Sequence, residues 1–100
     1  MSIFKTLFGS GSTSNPIDAE KRRHQGQMRT YESEIESAKK QIESLKAETE
    51  RLKKANMLTS SKRDYQKKRI EDWKSKIERR KQDIAREKEQ YRKNIERLKK

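Results

Sequence analysis

Apolar side chains at intervals of three and four constrain this chain more than any other feature. Met28, Tyr31, Ile35, Ala38, Ile42, Leu45 and Leu52 keep that spacing, with Thr49 filling the one gap. In the second half Ile70, Ile77, Ile84, Tyr91 and Leu98 recur every seven residues, and Trp73 and Ile95 widen the stripe. Such a repeat lines one face of an α-helix and marks coiled-coil pairing. The period decides a question that composition leaves open. A chain that is 44% charged and 27% hydrophobic fits disorder as readily as long helices. A disordered polyampholyte has no reason to keep a period, so the expected fold is all-α.

The boundaries follow from a few local signals. Gly9 can close a short N-terminal helix, and Ser10 to Ser14 with Gly11 read as a flexible linker through residue 15. Asn15 is an N-cap, Pro16 suits the first helical position, and Asp18 with Glu20 place acid in the first turn. Helix 1 is expected over residues 16–56, with Gly26 as a weak point costing about 1 kcal/mol relative to alanine. Asn56, Thr59, Arg63 and Gln66 make the seam polar between the two stripes. Thr59, Ser60 and Ser61 are good caps, and Ser61 with Asp64 resembles a capping box, so a turn is expected at 57–60 and a second helix over 61–100.

Two shapes fit this pattern. The heptad frame continues unbroken from Met28 to Leu98, as one continuous rod-like helix requires. A fold-back between Met57 and Leu58 instead brings Leu45 to Ile70, Ile42 to Trp73, Ala38 to Ile77, Tyr31 to Ile84 and Ile17 to Leu98. Small meets large at Ala38 and Ile77, as close packing prefers. The misfits are Ile35 against Arg80 and Met28 against Glu87. The long coiled-coil-type hairpin is the favoured shape. It buries little apolar surface, so further chains or a bound surface are expected to stabilise it. Pairs in favourable i,i+4 order, such as Glu36–Lys40, Glu50–Lys54, Asp64–Lys68, Asp72–Lys76, Glu89–Lys93 and Glu96–Lys100, each add about 0.3 kcal/mol to a helix.

The net charge of +12 points to an anionic partner: nucleic acid, acidic lipid or acidic protein. Its distribution is uneven. Residues 28–58 carry seven basic and six acidic side chains, and residues 61–100 carry seventeen and eight. Candidate anion-binding residues are therefore Lys62, Arg63, Lys67, Lys68, Arg69, Lys74, Lys76, Arg79, Arg80 and Lys81 on the second arm.

Catalysis has no visible residues. There is one histidine, no cysteine, no glycine-rich phosphate loop and no spacing of metal ligands. His24 reads as a seam or surface residue, and the carboxylates as ion-pair partners of neighbouring lysines and arginines. A non-enzymatic chain with no cofactor, metal or small-molecule substrate is expected. No run of about 20 apolar residues is present to span a bilayer.

The opening MSIFKTLFG stands apart. Ile3, Phe4, Leu7 and Phe8 fall on one side of a short helix, with Lys5 and Thr6 on the other. The segment 1–9 is thus amphipathic, suited to a membrane interface or to the groove of a partner, with a disordered tail as the alternative. Full burial of four such side chains yields about 4–8 kcal/mol, much of it offset by ordering a short segment. Firm binding then needs many copies, or a polybasic helix beside it.

The same opening, MSIFKTLFG, resembles the start of ESCRT-III membrane-remodelling proteins, which run from Met and a small residue to an aliphatic and a phenylalanine and close on Phe-Gly. The order that follows, a Gly/Ser linker, a helix, a turn and a basic helix, is also similar. The resemblance implies a long hairpin that polymerises side by side. It also implies that Ile3, Phe4, Leu7 and Phe8 insert, and that the lysines and arginines of residues 62–81 face acidic lipid. The family continues into further helices and an acidic C-terminal region, which residues 1–100 do not include. The expected function is a self-assembling structural protein, cytoplasmic and peripheral at an acidic membrane, with a homo-oligomer or helical protein as partner. The alternatives are a viral or phage virion protein contacting packaged nucleic acid, and a helical linker subunit of a larger assembly.

Overall fold

The structure, a computed structural model, describes residues 15–100. The amphipathic segment 1–9, with Ile3, Phe4, Leu7 and Phe8, and linker residues 10–14 lie outside the described residues. Two helices make up the described chain: α1, Pro16–Lys54, and α2, Ser60–Lys99. It is all-helical, with no strand among the described residues, and it doubles back as a hairpin rather than running on as one rod.

Asn15 starts α1 as its sequence position suggests. Its side-chain Oδ1 accepts the Ile17 backbone N–H at 2.9 Å, and its carbonyl accepts the first helical bond from Ala19. Asp18 lies in the first turn, where the helix dipole favours acid. Glu20 lies beyond that turn and is engaged elsewhere, with Arg23 and Asn94.

Helix α1 ends two residues earlier than the expected residue 56, and the turn occupies residues 55–59 rather than 57–60. The cause is Asn56, whose φ of 57° is left-handed. Asparagine is among the few residues besides glycine that enter this region at modest cost. The Met57 N–H then reaches back to the Leu52 carbonyl at 2.8 Å, and the Asn56 N–H to the Lys53 carbonyl at 3.1 Å. This pairing is the Schellman closure of a helix, with asparagine in the place glycine usually takes. Helix α2 opens immediately. The Thr59 hydroxyl oxygen accepts the Lys62 N–H at 3.1 Å, and its carbonyl accepts the Arg63 N–H at 2.9 Å. Thr59 is thus the cap, and Ser61 lies inside the helix instead of forming a capping box with Asp64.

The chain divides into two units. The turn unit, Thr30–Asp83, contains both helix segments adjoining the turn. Its core is Ala38, Ile42 and Leu45, which are 1%, 8% and 4% exposed. Their α2 counterparts Ile70, Trp73 and Ile77 are half-buried, as are Ile35 and Leu52. Seam residue Gln66 is buried at 6% exposure, and its Oε1 has no hydrogen-bond partner. The Thr49 hydroxyl turns onto its own helix and donates to the Leu45 carbonyl at 2.9 Å.

The terminal unit comprises residues 15–29 and 84–100 among those described. Its side chains Ile17, Met28, Ile84, Tyr91 and Ile95 are half-buried, whereas Leu98, near the end of α2, is 42% exposed. The only buried residue among those described in it is an acid, Glu87, at 9% exposure.

Candidate anion-binding surface

Two kinds of charged surface emerge when the basic residues are sorted by what holds them. In the terminal unit the guanidinium of Arg23 grips Glu87 with two bonds, 2.8 and 3.2 Å, and also reaches Glu20 at 2.8 Å. His24 Nδ1 lies 2.8 Å from the same Glu87 carboxylate. The imidazole stacks on Tyr91, with ring centroids 4.0 Å apart and planes 10° from parallel. Asn94 donates to Glu20 at 3.0 Å, closing the network. Burial pushes the Glu87 carboxyl up, but the hydrogen bonds from Arg23 and His24 outweigh it and hold the group below its ordinary range. Hydrogen bonds from Arg23 and Asn94 lower Glu20 to about 2. Glu87 was a misfit against Met28 in a purely apolar seam. It is accommodated because Arg23 and His24, about one turn away on α1, reach its carboxylate.

In the turn unit Arg80 shows the same logic. Its guanidinium bonds to Glu34 across the hairpin and to Asp83 on its own helix, the latter at 2.7 Å. Both carboxylates raise its pKa, Glu34 foremost. Arg80 therefore satisfies the polar layer opposite Ile35, and it does not stand with the other candidate anion-binding residues as a free cation.

Those other candidates are placed differently. Lys62, Arg63, Lys67, Lys68, Arg69, Lys74, Arg79 and Lys81 are exposed, and none pairs with a carboxylate among the described residues. Lys76 is half-buried, its ammonium 5.3 Å from the centroid of the Trp73 ring. The guanidinium of Arg69 lies 5.7 Å from the Tyr65 ring centroid. None of the i,i+4 pairs expected from spacing, Glu36–Lys40 through Glu96–Lys100, closes a salt bridge among the described residues, although the Lys93 charge adds to the Arg92 hydrogen bond in lowering Glu89. Arginine makes the pairs instead, as in the Arg92 contacts to Glu89 and Glu96. A planar fork meets a carboxylate with less loss of freedom than a flexible ammonium.

Sequence reasoning passed over the contribution of α1. Its last turn carries Arg51, Lys53 and Lys54, directly before the turn, where the helix dipole favours cations. Helix α2 then opens with no acid in its first turn. Around the turn, residues 48–69 contain eight basic side chains against Glu48, Glu50 and Asp64. The rest of the turn unit is balanced, with eight basic and eight acidic residues. An open cavity of about 590 Å³ lies here, lined by Thr49, Glu50, Lys53, Asn56, Leu58 and Arg63. Met57 and Tyr65 stand beside these charges at 57% and 62% exposure.

The described residues contain no group of three or more His, Cys, Asp or Glu able to hold a metal ion. No described helix is long and apolar enough to cross a membrane. Comparison with protein-family models, curated proteins and solved structures finds no match to this chain.

Proposed function

We propose that the chain is a non-enzymatic helical-hairpin scaffold that self-associates and assembles on an acidic membrane, peripheral to it on the cytoplasmic side. The observation that carries this reading is the set of exposed basic side chains between Lys62 and Lys81 that no carboxylate neutralises. Near an anionic surface, each well-placed Lys or Arg contributes about 1 kcal/mol. A core of three buried hydrophobics supports association with further chains, since a hairpin this thin encloses little apolar surface. The apolar face of Ile3, Phe4, Leu7 and Phe8 supplies insertion, and the likeness of MSIFKTLFG to ESCRT-III openings adds to the same reading.

Flotation with phosphatidylserine-containing vesicles tests it. The chain floats with the vesicles, and the Phe4→Ser/Phe8→Ser variant does not. Binding that survives this change and falls only with added salt removes insertion from the proposal.

A second reading, a virion protein contacting packaged nucleic acid, draws on one observation. Exposed Tyr65, with the Arg69 guanidinium over its ring, offers a base a stacking platform beside cationic charge. A gel shift whose affinity does not drop between low and moderate salt counts against it.

A further inference from the structure

The charge of the turn unit is collected around the turn. Lys62 and Arg63 sit in the first turn of α2, at the positive end of its dipole, and Lys53 and Lys54 close α1 just across the turn. None of these four pairs with an acid among the described residues. Two of the three large hydrophobic residues that stand exposed in the described chain, Met57 and Tyr65, occupy the same end of the hairpin. Elsewhere in the turn unit the apolar side chains are in the seam and the charges cancel.

We infer that the hairpin tip, with Met57 and Tyr65 at its surface and a collar of basic residues around them, is a second membrane-contact site that inserts into an acidic lipid interface. This deepens the membrane reading proposed above and rests on it. Apolar side chains ringed by lysine and arginine are the make-up of interfacial binding, in which the chain lies among headgroups without spanning the bilayer. Tyrosine belongs at that depth, ring in the boundary and hydroxyl in water. Lysine and arginine extend apolar stems along the surface and keep their charges at the phosphates. Met57 decides between lipid and nucleic acid. A flexible thioether chain fits among acyl groups, but it offers no flat π-face for a base. The left-handed turn at Asn56 presents it, because Met57 commits its backbone N–H to closing α1 while its side chain stands in solvent.

The test uses the full chain and vesicles of phosphatidylcholine with phosphatidylserine. Two variants remove four charges each: Lys53→Gln/Lys54→Gln/Lys62→Gln/Arg63→Gln at the tip, and Lys39→Gln/Lys40→Gln/Lys46→Gln/Lys88→Gln at exposed positions away from the tip and outside the Lys62–Lys81 set. The tip variant loses vesicle affinity about a hundredfold or more, whereas the second loses several-fold at most. Equal losses overturn the inference, since net charge then suffices. A depth readout is independent of any folding defect in the charge variants. The chain has no cysteine, so Met57→Cys accepts a single environment-sensitive fluorophore. Its emission shifts to the blue on vesicles, and the same label at Lys40→Cys does not shift. If the unsubstituted chain floats, Phe4→Ser/Phe8→Ser abolishes flotation and the label at 57 stays in water, the membrane reading stands and the tip inference falls. If the unsubstituted chain does not float, both fall.

Discussion

The two units are held together by different chemistry. In the turn unit, three apolar side chains of α1 are buried and the one buried polar residue, Gln66, is left with an unpartnered oxygen. In the terminal unit no hydrophobic side chain is fully buried among the described residues, and the buried residue is Glu87, with Arg23 and His24 on its carboxylate. Apolar packing is non-directional and does not depend on the ionisation of any side chain. An ion-pair network is directional, and it stabilises only while its carboxylates are ionised and every partner is present. A chain this poor in hydrophobic residues cannot fill both units by the first means, and the terminal unit shows how a seam can be closed by the second.

The contrast can be broken most forcefully at Leu45. Leu45→Ala removes a buried side chain from the turn unit and costs about 2–4 kcal/mol, at the scale of buried leucine truncations. Thermal unfolding followed by circular dichroism measures the loss. A change below about 1 kcal/mol denies the turn unit an apolar core.

The counterpart at Glu87 is smaller. Glu87→Ala costs about 1–3 kcal/mol, because Arg23 and His24 lose the acceptor they share. Acid produces part of the same effect. Glu20 and Glu87 are both lowered from the ordinary 4.5, Glu20 to about 2. Their ion pairs therefore contribute in full above about pH 4.5, and that contribution is lost as pH falls through the folded-state values. Hydrogen exchange at pH 3 should show amides of residues 15–29 and 84–100 losing more protection than those of 30–83. Equal loss in both removes the distinction.

The smallest effect sharpens the comparison by reversing its sign. Gln66→Leu replaces a buried amide whose oxygen has no partner with an apolar side chain of similar size, and it stabilises the chain by about 1 kcal/mol. A destabilised Gln66→Leu, read as a lower midpoint in urea, means that a partner for that oxygen is present in solution.

How much of this was legible differs by residue. Ala38, Ile42 and Leu45 are readable because burial follows a period, and a period is visible along one chain. Glu87 and Arg80 read as misfits because a seam drawn layer by layer matches each residue only with the one directly opposite. Arg23 and His24 reach Glu87 from about a turn away, and Glu34 reaches Arg80 from beside Ile35. Long side chains make such diagonal contacts, and spacing along one helix does not encode them. The same limit explains why the expected Glu–Lys pairs at i,i+4 lose to arginine-centred ones.

By itself the sequence determined that the chain is helical, where α1 starts, that an apolar stripe runs along each half, and that the second arm carries the charge excess. These are properties of neighbours along the chain: caps, period and composition. Only the tertiary structure decided that Asn56 turns left-handed and closes α1 at Lys54, which cations are neutralised, and that Met57 and Tyr65 stand exposed beside an unpaired basic cluster. The first is a local closure in which the Met57 and Asn56 N–H groups return to carbonyls of α1. The other two depend on which groups the fold-back brings within a few ångströms of one another, and that distance is set by two helices at once.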